Sequence, residues 1–120
     1  MRNVKIAAIQ MQCSTNLQTN LEKAEKMVRQ AAGDGAQIIL LPELFEREYF
    51  CQQRRYDFYH LAKPVEENDA VQMGMRLAKE LNVVLPISFY EQDINTLYNS
   101  IACIDADGTL SGVYRKTHIP

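Results

Sequence analysis

Two short apolar runs flank one amphipathic stretch at the start of the chain, and that order constrains the fold more than any other feature. Val4 to Met11 is the first run and Ile38-Ile39-Leu40-Leu41 the second. Short runs of this kind read as strands covered on both faces. Between them, Leu21, Ala24, Val28 and Ala31 recur at spacings of three and four, the pattern of a helix with one apolar face. Thr19-Asn20-Leu21-Glu22 fits a capping box at its start. Gly33 and Gly35 supply positive-φ positions at its end. Strand, helix and strand in this order predict two parallel strands joined by a right-handed crossover.

Pro42 stops the second strand, and the stretch to about Pro64 is aromatic and charged without clear periodicity. It reads as a long loop with short helical turns, a feature that compact domains reserve for function or leave disordered. Its many aromatics weigh against disorder. A second helix is predicted from Asp69 to Leu81, with Val71, Met75, Ala78 and Leu81 as its inner stripe. Val83 to Ser88 reads as a third buried strand, with an edge or bulge near Pro86 because proline lacks the ladder donor. Tyr98 to Ile104 and Leu110 to Arg115 then form a hairpin around Asp105-Ala106-Asp107-Gly108. The fold class is therefore α/β, a mixed sheet with parallel crossovers first and hairpins afterwards. Two helices suffice for one face of five strands, and the other face is expected to be closed by something these residues do not contain.

A chain of 120 residues with 47% apolar and 23% charged residues is ordinary globular material and supports one domain. Thirteen basic against fifteen acidic residues leave a net charge of -2, which gives no reason to expect a nucleic-acid surface. The apolar runs are too short to cross a bilayer, and the N-terminus lacks the apolar stretch of a signal peptide. A cytoplasmic location with no membrane partner is the expectation. Cys13, Cys51 and Cys103 are odd in number and widely spaced, which suits free thiols. Each reads first as a small core residue. Cys103, between Ala102 and Ile104, is expected in the core.

Glu43 follows the second strand in Leu40-Leu41-Pro42-Glu43-Leu44-Phe45, the kind of strand end where open α/β sheets place ligands. A carboxylate among Leu41, Leu44 and Phe45 is expected to be poorly solvated, with a raised pKa that suits a general base. The alternative is a glutamate in the first turn of a short helix begun by Pro42. Lys116, directly after the last strand, can stabilise an oxyanion if its loop turns inward, and is otherwise a solvated loop residue. His60 and His118 are candidate partners for Cys51 in a thiol–imidazole pair, with no spacing to support one. Gly33-Asp34-Gly35 follows a helix instead of preceding one, the wrong order for a phosphate cradle.

Leu40-Leu41-Pro42-Glu43-Leu44-Phe45 and Tyr114-Arg115-Lys116-Thr117-His118-Ile119-Pro120 resemble two motifs of the nitrilase (carbon-nitrogen hydrolase) superfamily. Tyr49-Phe50-Cys51-Gln52, Ala78-Lys79-Glu80-Leu81 and Tyr98-Asn99-Ser100-Ile101 are similar to its branch acting on carbamoylated amines. The likeness runs from residue 4 to residue 120, in family order. It implies an α-β-β-α sandwich of which residues 1–120 are the N-terminal part of one domain, and a catalytic Glu, Lys and Cys. Glu43 matches the general base and Lys116 the cation. The nucleophilic cysteine, which the family places on a later strand before a tryptophan, has no match among the three cysteines. These residues alone are accordingly expected to be inactive.

The implied reaction needs no metal or organic cofactor, and the complete protein is expected to be a homo-oligomer. Its implied substrate is a small carbamoylated amine, or alternatively an ω-amide or a β-ureido acid. Glu48, or Glu46, is a candidate for receiving a cationic amine tail, and a solvated loop carboxylate is the plainer role. The contrasting reading is a non-catalytic half-domain that binds a partner.

Overall fold

The first crossover forms as its pattern dictates. In the computed structural model, which describes residues 1–50 and 56–119, β1 (Ile6–Ala8) and β2 (Ile38–Leu40) pair in parallel, Ile6 opposite Ile38 and Ala8 opposite Leu40. Helix α1 (Leu17–Gly33) connects them, with Ala24 and Val28 fully buried and Leu21 and Ala31 packed beside them. The helix starts earlier than the capping box implies. Asn16 caps it, its Oδ1 accepting the Thr19 N–H at 2.9 Å, because Asn serves as an N-cap at least as well as Thr. Thr19 therefore lies within the first turn. At the other end only Gly35 takes positive φ (93°), while Gly33 is the last helical residue.

The aromatic stretch ends in a short 3-10 turn (Tyr56–Leu61), and a second follows it (Val65–Glu67), then α2 (Asp69–Leu81), β3 (Ile87–Asp93), β4 (Thr96–Ile104) and β5 (Leu110–Arg115). The loop is packed. The Phe50 ring stacks on Phe58 (centroids 5.0 Å apart) and meets Tyr90 edge-on (4.9 Å). Lys63 also lies along β3, accepting the Gln92 N–H at 3.0 Å and donating to the Tyr90 carbonyl at 3.2 Å. Helix α2 packs on β3, on β4 and against α1. Its inner line is Ala70, Val71, Met73, Gly74, Leu77 and Ala78, with Met75 and Leu81 on the flank instead of in the stripe. A Cβ on Gly74 would sit 2.6 Å from Ile87 Cγ1 and 2.9 Å from Ile104 Cδ1, so the bare backbone sets how closely helix and sheet approach.

The mixed sheet is built in two regular parts joined at residues 84 and 85. β1 and β2 make a parallel pair, and β3, β4 and β5 an antiparallel sheet with β4 central. Pro86, which has no N–H to give, falls at the join, and regular pairing of β3 begins only at Ile87. Residues 84 and 85 stitch the two parts together. Val84 donates to Gln37 O (2.9 Å) and accepts from Ile39 N (3.0 Å), and Leu85 donates to Ile104 O (3.0 Å). The closing turn of the β4–β5 hairpin is as expected, with Gly108 at φ 84°.

Both helices cover the same side of the sheets. On that side Ile39, Ile87 and Phe89 are fully buried. On the opposite side Ile6 is 72% and Leu40 46% exposed, so β1 and β2 are covered on one face and not on both. Strand alternation puts Cys103 outward between the buried Ala102 and Ile104, so its expected place in the core is not the observed one. Cys13 is half-buried, and that burial raises its thiol pKa against a smaller opposing effect of Lys23. No helix among the described residues is long and apolar enough to cross a membrane.

Candidate active site

The turn after β2 carries Glu43 and is fastened at several points. Leu44 adopts φ 51°, a conformation L side chains rarely take, and its N–H donates to Ser88 Oγ on β3 at 2.9 Å. Asn20 of α1 donates to the Glu46 carbonyl at 2.8 Å. Asn68, the N-cap of α2, donates to Glu46 Oε1 at 3.0 Å while accepting the Val71 N–H. One sheet and both helices thus hold the turn, and Glu43 emerges just past the carboxyl end of a parallel strand.

Lys116 reaches the same point from β5. Its N–H donates to the Asn99 carbonyl at 2.8 Å, and its Nζ donates to Glu43 Oε1 at 2.8 Å. Asn99, buried on the central strand β4, donates from Nδ2 to the same oxygen at 2.7 Å. The preceding residue anchors the end of the exposed strand β5. Arg115 grips Glu91 with two bonds (2.8 and 3.1 Å) and Asp93 with one (2.7 Å), and lies 4.0 Å over the Tyr98 ring. Ser100 adds a bond to Glu91, whose pKa is held below the carboxylate range by the Arg115 hydrogen bonds above all.

Glu43 and Lys116 border a cavity of about 320 Å³ whose apolar walls include Leu40, Leu41, Ile101 and Tyr114. The cavity opens on the side of the sheets that the helices leave bare. The expected rise in the Glu43 pKa does not occur. Burial raises it, but hydrogen bonds from Lys116 and Asn99, with the charge of Lys116, outweigh that effect and hold it below the ordinary carboxylate value. The carboxylate is therefore ionised and ready to accept a proton.

The other candidates stand elsewhere. Glu48 is exposed beside a second cavity of about 180 Å³, with Phe50, Phe58 and His60. Glu46 turns inward to Asn68. Cys51, and with it the thiol–imidazole pair, lies outside the described residues, and His118 is exposed. Cys103 is four residues along β4 from Asn99, about 13 Å at the usual strand rise, too far to pass a proton to Glu43. Asn99 is the residue that composition and spacing do not flag. A polar residue between Tyr98 and Ser100 reads as ordinary strand alternation until β5 and the β2 turn converge on it.

The sequence matches the carbon-nitrogen hydrolase family model over residues 5–120. The chain belongs to the carbon-nitrogen hydrolase family. It is 50% identical over 119 residues to the N-carbamoylputrescine amidase of Arabidopsis thaliana, a span of 99% of this chain and 40% of that protein. It is 48% identical to the citrullinase of Francisella tularensis, over all of this chain and 42% of that one. Among solved structures, a carbon-nitrogen hydrolase from Helicobacter pylori superposes with a TM-score of 0.87 at 27% identity, covering 98% of this chain and 40% of that chain. The chain thus spans about two fifths of the length of these relatives, and its α/β architecture is that of the carbon-nitrogen hydrolase fold.

Proposed function

We propose that residues 1–120 are the N-terminal part of a carbon-nitrogen hydrolase domain that converts N-carbamoylputrescine to putrescine, carbon dioxide and ammonia. The observation that carries this reading is the 2.8 Å contact of Lys116 Nζ with Glu43 Oε1 at a cavity on the bare face of the sheet. In this reading the remainder of the domain covers that face and brings a cysteine thiol into the cavity. Glu43 takes the thiol proton, the sulfur pair forms a bond to the ureido carbon, and the carbonyl pair moves onto oxygen beside Lys116. Collapse of the intermediate re-forms the carbonyl and expels ammonia with the proton from Glu43. Glu43 next takes a proton from water, which attacks the carbamoyl-thioester carbon and frees the thiol. The carbamic acid released falls apart to carbon dioxide and the diamine.

The 48% identity to a citrullinase favours citrulline as a second substrate reading. Both molecules carry the same ureido group, and they differ at the far end, where citrulline adds a carboxylate. Ammonia release by the complete protein from N-carbamoylputrescine, citrulline, an ω-amide and a β-ureido acid tests the choice. The expected result is a kcat/KM for N-carbamoylputrescine at least about tenfold above the others, the effect of about 1.4 kcal/mol, near the net worth of one hydrogen bond. A preference for citrulline, the ω-amide or the β-ureido acid overturns the substrate assignment.

A further inference from the structure

We infer that Asn99 is a positioning residue that commits Glu43 to working through Oε2. Among the described residues, the two hydrogen bonds to the Glu43 carboxylate, from Asn99 Nδ2 at 2.7 Å and from Lys116 Nζ at 2.8 Å, both fall on Oε1. An oxygen that already accepts two donors, one of them charged, is the poorer proton acceptor, and Oε2 carries neither bond. Asn99 also holds the second partner, because its backbone carbonyl accepts the Lys116 N–H at 2.8 Å. One buried residue on the central strand therefore sets Glu43 and Lys116 relative to each other. Without its amide, the terminal torsion of Glu43 is broad and nearly two-fold, so the two oxygens exchange roles. Among the described residues, a flexible lysine is then the tether that remains on the carboxylate.

The inference rests on the hydrolase reading and adds the atom at which the proton moves. The thiol proton passes to Oε2 while its bonding pair stays on sulfur, and the same proton leaves Oε2 for the departing ammonia. The test uses the complete protein, with N-carbamoylputrescine as the probe and ammonia release followed across pH. Asn99→Ala removes the donor. Asn99→Asp keeps the size of the side chain and the carbonyl to Lys116, but sets a second carboxylate beside Glu43. The expected result is an acidic limb of the kcat profile moved up by about one pH unit in Asn99→Ala, the effect of one lost bond to a charged group, and further in Asn99→Asp. KM stays within about twofold while kcat at neutral pH falls about tenfold or more, a split that a loss of folded protein does not produce. Should the alanine variant be insoluble, the isosteric variant carries the test. An unmoved limb overturns the inference. Glu43→Gln, run alongside, separates the two failures: a dead Glu43→Gln with an unmoved limb sinks the role of Asn99 alone, and an active one sinks the hydrolase reading together with it.

Discussion

Lys116→Ala in the complete protein is expected to lower kcat for N-carbamoylputrescine by about a hundred- to a thousandfold, the usual cost of deleting a donor aimed at a developing oxyanion. The Lys116 ammonium sits 2.8 Å from Glu43, and in the proposed reaction it serves the proton acceptor in the resting site and the oxyanion once substrate is bound. Its removal has a second consequence, because it withdraws one of the two donors that hold Glu43 ionised. Stability moves little. Both side chains are about two fifths exposed, and a solvent-screened pair of this kind contributes at most about 1 kcal/mol. Lys116→Arg keeps the charge with a different fork of donors and is expected to fall between the two. Steady-state ammonia release paired with thermal melts checks this. A variant whose kcat falls only in proportion to its loss of folded protein contradicts a role in the chemistry.

Glu46→Gln is expected to change how stability depends on pH. Burial pushes the Glu46 carboxyl up to about 7, with a smaller contribution from the charge of Asp69, against the lowering effects of Asn68, Arg47 and Lys63. The folded state then holds a proton that the unfolded state, with an ordinary carboxyl, releases near pH 4.5. Stability from this group is therefore fully present below pH 4.5 and is lost as pH rises to about 7. The loss amounts to about 3 kcal/mol over that window, at the conversion of one pH unit to 1.36 kcal/mol. Gln keeps an oxygen for the Asn68 bond and cannot ionise, so the variant gains on the parent from pH 5 to pH 8 in denaturant unfolding. Parallel curves for the two proteins contradict a buried carboxyl at this position. Because the Glu46 carbonyl and carboxyl both fasten the turn carrying Glu43, this titration acts on the site's support.

Local signals read well where one residue type decides a local outcome. The stripe of α1, the bounds of α2 and the glycine turn of the hairpin follow from spacing and from backbone freedom at Gly108. The placing of Glu43 at a strand end follows from Pro42. Features set by distant parts of the chain do not read this way. Thr19 satisfies a capping pattern as well as Asn16 does, and it is the Asn16 side chain that caps the helix starting at Leu17. Cys103 looks like core until strand register turns it outward. The Glu43 environment reads as apolar from its neighbours in sequence, yet its partners are Asn99 and Lys116, 56 and 73 residues away. Spacing within a motif cannot show a partner that arrives from another strand, and the sign of the Glu43 pKa shift depends on two such partners. The family resemblance singles out Lys116, and the structure adds Asn99, whose amide donates to the same oxygen of Glu43.

The most direct measurement of the central claim is ammonia release from N-carbamoylputrescine by the complete protein and its Glu43→Gln variant, at equal concentrations of folded enzyme. Gln occupies the same space and can still meet Lys116 with its amide oxygen, but it cannot take or return a proton. The expected result is a variant slower by about a thousandfold in kcat, the middle of the usual range for a positioned general base, with KM changed by less than threefold. A Glu43→Gln protein that keeps more than a tenth of the parent kcat contradicts the account.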